Sequence, residues 1–201
     1  MAYLSAGGSI TNGNLVFHNF ANVTQNQADL TVNPSDIEVF NITSGGESGL
    51  RFQYGGWALS GADKHYDLSF NYQVSTLDGS IVIDDNSLAM IGSYDAKGWS
   101  HISETATTLG SGTLDTLGTY LNDATLGNHL IDANTFAVQS DLNIAKDFAL
   151  DTTVGGALDN IAVSHFDQTF SVIPEPASAA LIVLLGGGLM GLRRFRRWSN
   201  T

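Results

Sequence analysis

Apolar and polar residues alternate along much of the first 173 residues of this chain. Large apolar side chains recur at alternate positions as Leu15 and Phe17 in segment 15–20, as Ile37 and Val39 in segment 37–42, and as Leu50, Phe52 and Tyr54 in segment 50–54. This period of two is typical of a β-strand with one face on a hydrophobic core and the other in solvent. We therefore predict strands at these three places.

The pair Asp78-Gly79 lies between two further alternating segments, 66–76 and 80–84. Asp-Gly favours the tight turn of a β-hairpin, because both residues tolerate positive φ angles. The pattern predicts that these two segments pair with each other.

The rest of the body continues in the same manner, with short apolar segments separated by Gly, Asp and Asn. Segment 110–131 lacks clean alternation and is predicted to be a long loop, with 116–122 as one short helix. Many short strands with frequent turns predict an all-β fold, an antiparallel β-sandwich or jelly roll. The additional predicted strands are 87–94, 99–109, 135–139, 142–150, 157–164 and 168–172.

The end of the chain has a different character. Residues 177–192 carry no charge, and four arginines follow them: Arg193, Arg194, Arg196 and Arg197. As a helix this apolar segment would rise about 24 Å. The arginines would then act as stop-transfer charges on the cytoplasmic side. The fold class predicted is thus a β-sandwich followed by a single C-terminal transmembrane helix.

The order of Pro174-Glu175-Pro176, the apolar segment and the arginines resembles the PEP-CTERM sorting signal of exported proteins of Gram-negative bacteria. The resemblance implies that the tripeptide is recognised by exosortase, an integral membrane enzyme. It also implies export, transient anchoring in the inner membrane through 177–192, and delivery to the cell surface or the extracellular matrix in association with exopolysaccharide. The domains expected are 1–173 for the exported body and 174–201 for the sorting signal.

The resemblance also implies an N-terminal secretion signal, which needs a basic segment and then an apolar one. The opening residues MAYLSAGGSITNG contain neither. We therefore expect either that the sequence is truncated at its start or that its first residue is an internal methionine of a longer reading frame.

Charge and composition exclude several classes of protein. Residues 1–173 hold 4 Lys or Arg against 19 Asp or Glu, a net charge of −15. Such a body would repel the phosphates of nucleic acids. The absence of cysteine excludes thiolate metal sites and cysteine nucleophiles.

No catalytic residue is predicted. The five histidines, His18, His65, His101, His129 and His165, lie in no recognisable hydrolase or metalloprotease motif. The acids Asp84, Asp85, Asp63 and Asp67 with Asn86 could offer oxygen ligands to calcium, but the spacing is not that of an EF-hand and solvated turn acids are favoured. We expect a non-enzyme without metal or cofactor.

Two tryptophans leave a second function open. Trp57 and Trp99 could stack on sugar rings if they were exposed on one face, whereas a Trp beside Gly55-Gly56 is more often a core residue. The alternatives to a sorted matrix protein are therefore a surface carbohydrate-binding, lectin-like module and an uncleaved, C-terminally anchored membrane protein.

Overall fold

The computed structural model describes residues 2–4, 8–95, 97–110, 112–123, 127–152 and 159–175. Within them, 14 strands and one 3-10 turn, Pro34–Asp36, form two seven-stranded sheets in which all pairs are antiparallel. The two sheets pack face to face as a β-sandwich.

Sheet A has the order β1-β4-β5-β14-β8-β12, and the short β6 also pairs with β14. Its strands are β1 Ala2–Tyr3, β4 Glu38–Ser44, β5 Glu47–Gln53, β6 Ala58–Ser60, β8 Ile81–Asp95, β12 Ile131–Gln139 and β14 Asn160–Pro174.

Sheet B has the order β11-β10-β9-β13-β7-β3-β2. Its strands are β2 Ile10–Asn12, β3 Leu15–Asn26, β7 His65–Thr76, β9 Trp99–Thr107, β10 Thr113–Asp123, β11 Gly127–His129 and β13 Asp141–Asp151.

The core between the sheets is built from the inward positions of the alternating strands. Its centre is aromatic: Phe166 stacks on Phe52 with ring centroids 5.0 Å apart and on Trp57 at 5.5 Å, and Trp57 also contacts Phe148 at 4.8 Å. Large rings bury much apolar area, and their tilted and offset contacts add to it. This aromatic centre joins β5, β13, β14 and the residue that precedes β6 into one core.

The predicted hairpin at Asp78-Gly79 is wrong. Strand β7 pairs with β3 and β13 in sheet B, whereas β8 pairs with β12 and β14 in sheet A. The turn therefore carries the chain from one sheet to the other. Its geometry agrees, because Gly79 does not have a positive φ and the Asp78 carboxylate accepts from the Ser80 N–H at 2.9 Å, an Asx turn.

The predicted loop 110–131 and its helix 116–122 are also wrong, because β10 and β11 occupy most of this segment. The inward positions of β10 are Asp115, Leu117, Thr119 and Leu121, all buried. Two of the four are polar, which removes the apolar alternation by which a strand is recognised.

The separate strands predicted at 157–164 and 168–172 belong to one strand, β14, which has register shifts between Val163 and His165 and between Ser171 and Val172.

The predicted fold class is wrong in its last element. Among the residues that the structure describes, the regular elements are strands and one 3-10 turn, and no helix there could cross a membrane. The predicted segment 177–192 and Arg193, Arg194, Arg196 and Arg197 lie outside the described residues.

The boundary predicted at residue 173 falls inside an element. Pro174 ends β14, opposite Ile81 of β8, and the N–H of Glu175 donates to the carbonyl of Ser80 at 2.8 Å. Two residues of the tripeptide are therefore held at the C-terminal end of the central strand β14, while Pro176 lies outside the described residues.

Candidate functional site: a groove across sheet A

A groove crosses the outer face of sheet A over β5, β14, β8 and β12. Its floor follows from the register: Thr169 lies opposite Gly49 on one side and Ser87 on the other, and Ser87 lies opposite Ala133. All four residues point outward and have small side chains or none. A row of small residues between rows of larger ones leaves a depression across the strands.

One wall of the groove is acidic and rich in hydroxyl groups. In the next row, Ser171 lies opposite Asp85, and Asp85 lies opposite Thr135. Glu47 completes this row, because its carboxylate accepts from Thr169 Oγ1 at 2.5 Å and from Ser171 Oγ at 3.4 Å. The backbone N–H of Ser171 donates to Asp85 Oδ1 at 2.9 Å. Ser171 thus orients both carboxylates.

An open cavity of about 320 Å³ lies beside this wall. Its size is at the lower end of small-molecule sites. Almost all of its lining can accept or donate hydrogen bonds. The lining consists of Glu47, Asp85, Ser87, Ala133 and Thr135, with Asn86 and Asn134 between them.

The opposite wall combines an ion pair with an apolar ledge. Arg51 donates from Nε and Nη2 to the two carboxylate oxygens of Asp167 at 2.7 and 2.8 Å, and this hydrogen bonding raises the pKa of Arg51. Farther along the same face, Ile131 and Ile91 are 65% and 55% exposed. We call Ile91 and Ile131 the apolar ledge. The groove therefore offers hydrogen-bond acceptors on one side and aliphatic surface on the other.

His165 lies one row beyond the ion pair, opposite Gln53 and Ile91. Burial, with the nearby charge of Arg51, lowers the pKa of His165. Both causes disfavour the charged form of its imidazole.

The predicted stacking residues are not brought together by the fold. Trp57 is 1% exposed in the aromatic core, so its ring is inaccessible to a sugar and the stacking hypothesis is wrong for this residue. Trp99 is half-buried on the outer face of sheet B, opposite Asp151. Two residues farther along β9, His101 stacks on Tyr120 with centroids 4.9 Å apart and 7° between the planes.

The acids considered as calcium ligands are also separated. Asp84 and Asp85 belong to β8 of sheet A, whereas Asp67 belongs to β7 of sheet B, where burial and the neighbouring Asp147 raise its pKa. In the part of the chain that the structure describes, no three His, Asp or Glu side chains are grouped to hold a metal ion.

Sequence reasoning missed the groove residues Glu47, Ser87, Ala133, Thr169 and Ser171. Each is unremarkable by itself, and the groove exists only because the register of four strands aligns them. The signal available was the run of small residues at alternate positions of β8, Ser87 and Ala89, facing outward from a strand whose other face is apolar.

No protein-family model and no curated protein matches the chain. Among solved structures, TmCBM61 in complex with beta-1,4-galactotriose is similar at 13% identity, with 78% of this chain and 88% of that chain covered and a TM-score of 0.31. A family 11 carbohydrate-binding module from Clostridium thermocellum is similar at 8% identity, covering 74% and 87%, with a TM-score of 0.27.

A family 12 xyloglucanase from Bacillus licheniformis is similar at 11% identity, covering 75% of this chain and 100% of that chain, again with a TM-score of 0.27. What the fold and the site define is an acidic, all-antiparallel β-sandwich with a polar groove across one sheet.

Proposed function

We propose that this protein is a non-catalytic carbohydrate-binding module that holds a neutral polysaccharide in the groove across sheet A. The observation that carries the proposal is the pairing of oriented acceptors, Glu47 and Asp85, with a floor of small residues and an apolar ledge. A sugar ring presents hydroxyl donors at its edge and C–H groups on its faces, so it can use both walls at once.

The negative charge of residues 1–173 should favour the binding of neutral polysaccharides over anionic ones. A net of −15 over residues 1–173, with two carboxylates at the groove itself, repels uronic acids and sulfated chains. Neutral sugars meet no such repulsion, and their hydroxyl groups donate to carboxylates in charge-assisted hydrogen bonds. The ligand class proposed is therefore a neutral polysaccharide or a neutral stretch of an exopolysaccharide.

The test is binding of the full chain to an array of neutral and acidic polysaccharides, with two matched variants. Ser87→Phe places a ring on the groove floor, and Ser103→Phe makes the same change at a half-buried, outward position of sheet B. Wild type and Ser103→Phe should bind the same neutral polysaccharide, and Ser87→Phe should not. Thermal unfolding of each variant shows whether it is folded.

Two results would overturn the proposal. One is equal binding by a folded Ser87→Phe variant, which would place the ligand elsewhere, for example at Trp99. The other is a folded wild type that binds no member of the array.

We further propose, on the resemblance of Pro174, Glu175 and Pro176 alone, that the protein is exported and sorted by exosortase. Because Pro174 and Glu175 pair with the β8 end of sheet A, cutting at the tripeptide requires this end of β14 to separate from Ile81 and Ser80. Intact mass from hosts with and without exosortase tests the proposal: a truncated mass that depends on the enzyme is expected, and an unchanged mass contradicts it.

A further inference from the structure

A lysine lies in the centre of the hydrophobic core. Lys146 occupies an inward position of β13, between the buried Ile144 and Phe148, and its side chain is 0% exposed. Lysine is almost never fully buried unless it is paired. The carbohydrate groove makes no use of this amine.

Two side chains contact the amine from different sheets. Glu104 of β9 lies directly opposite Lys146, and its Oε2 accepts from Lys146 Nζ. The same Nζ contacts the carboxamide oxygen of Gln168, which belongs to β14 in the other sheet. An amine, a carboxyl group and a primary carboxamide therefore meet at one point between the sheets.

The carboxyl group of Glu104 is held in place from its other side. Asn86 Nδ2 donates to Glu104 Oε1 at 2.5 Å, and both residues are 1% exposed. The amide nitrogen of Gln168, by contrast, has no hydrogen-bond partner among the described residues. The Asn86 hydrogen bond orients the Glu104 carboxyl group toward the Lys146 amine, and no hydrogen bond from the described residues fixes the amide nitrogen of Gln168.

Aromatic side chains pack around the cluster, and the buried Asp115 lies near enough to Glu104 to raise its pKa. Phe70 of β7 lies opposite Lys146, and Phe166 and Phe170 flank Gln168 on the inner face of β14. Burial in this setting lowers the pKa of Lys146 and raises the pKa of Glu104. Both shifts favour the neutral amine and the protonated acid, and only a neutral amine is a nucleophile.

We propose that Lys146 and Gln168 form an intramolecular amide bond, an isopeptide cross-link between the two sheets, with Glu104 as the catalytic proton carrier. The reaction needs no oxidant, cofactor or second enzyme. Lys146 Nζ already contacts both Glu104 and Gln168, and fixed geometry of this kind replaces much of the entropic barrier to amide formation.

The atoms balance in a simple exchange of amines. Lys146 Nζ attacks the side-chain carbonyl carbon of Gln168, and the new C–N bond forms as the carbonyl becomes tetrahedral. Protonated Glu104 donates its proton to the amide nitrogen of Gln168 and accepts the proton that Nζ loses, so that its carboxyl group is protonated again. The bond from the carbonyl carbon to that nitrogen breaks, one ammonia molecule leaves, and Glu104 returns to its initial state.

The product would tie β13 of sheet B to β14 of sheet A across the core. The linked residues are 22 positions apart. A covalent link of this kind restricts the unfolded chain in the way that a disulfide does, in a protein that has no cysteine.

The experiment is the intact mass of the purified full chain, with the link located by peptide mapping. We expect a mass lower than that of the sequence by one ammonia. Proteolysis at Asp151 or Asp159 cuts the chain between the linked residues, yet the fragments that contain Lys146 and Gln168 should remain joined after denaturation and reduction.

Variants separate this link from other losses of ammonia. Cyclisation of Asn12 before Gly13 would also release ammonia, but it does not require a lysine. Lys146→Met and Glu104→Gln should restore the full mass, whereas Lys64→Met, at the partly exposed lysine paired with Asp29, should keep the loss.

The intact mass of the wild type tests the proposed link even if the core variants fail to fold. A folded wild type with the full sequence mass would overturn the proposal, as would a loss of ammonia that persists in Lys146→Met. A link from Lys146 to Asn86 instead would overturn the assignment of Gln168.

Discussion

Gly49 of β5 lies so close to Gln168 of β14 that a Cβ atom placed on Gly49 would be 1.9 Å from the carbonyl oxygen of Gln168. No side chain fits at this distance, and the obstructing atom is backbone in the centre of sheet A. The close approach keeps the groove floor flat at Gly49, and it fixes the strand that carries Gln168 into the core.

Gly49→Ala should therefore destabilise the fold by about 3 kcal/mol, at the upper end of overpacking effects, because β5 and β14 must move apart. The matched control is Gly79→Ala, where an added Cβ meets nothing within 4 Å and φ is not positive. Urea unfolding of both variants measures the difference. Equal stability of the two would contradict the close approach.

Replacing the buried Trp57 should destabilise the fold more than replacing the half-buried Trp99. Trp57→Ala should lower the free energy of unfolding by about 3–5 kcal/mol, because it removes a ring packed on Phe148 and Phe166. Trp99→Ala, at a half-buried position on sheet B, should have a clearly smaller effect. Denaturant unfolding followed by circular dichroism tests both, and similar losses would show that Trp57 is not a core residue.

The acidic wall of the groove predicts a defined loss of binding. Glu47→Gln and Asp85→Asn each replace a charged acceptor by an amide of nearly the same shape. A hydrogen bond to a charged group contributes about 1.5–3 kcal/mol, so each variant should bind the polysaccharide roughly ten- to a hundredfold more weakly. Calorimetric titration measures the affinity.

The control for this prediction is Asp147→Asn on the outer face of sheet B, which should leave affinity unchanged. Because the proposed ligand is neutral, the affinity of the wild type should also change little with salt. A steep fall in affinity with rising salt would indicate a charged ligand.

Asp67 predicts a pH-dependent change in stability. Burial and the neighbouring Asp147 raise its pKa above 3.8, so the folded chain binds this proton more tightly than the unfolded chain does. The favourable contribution is complete below the unfolded pKa and is lost as the pH rises through the folded pKa.

Asp67→Asn removes this ionisation and should raise the melting temperature at pH 7. The gain should be under about 1 kcal/mol, because the site is partly exposed and screened by solvent. It should vanish at a pH well below 3.8, where Asp67 of the wild type is protonated. An equal gain at both pH values would show that charge is not the cause.

Local pattern was a sound guide to strands but not to their partners. The alternation in 15–20, 37–42 and 50–54 places β3, β4 and β5 correctly, since a period of two depends only on neighbouring residues. The Asp78-Gly79 turn failed as a hairpin signal because turn chemistry does not reveal whether the next strand joins the same sheet. In β10, the buried Asp115 and Thr119 concealed the strand altogether.

The sequence by itself determined the all-β character of the body, its acidity and the inward face of most strands. It even carried a sign of the buried cluster, because Lys146, Glu104 and Gln168 each stand at an apolar position of an alternating strand. Only the tertiary structure decided that these three side chains meet, and that Glu47, Ser87 and Ala133 share one groove. The physical reason is that such contacts join residues from different strands and sheets, and strand pairing, unlike periodicity, is set by long-range packing.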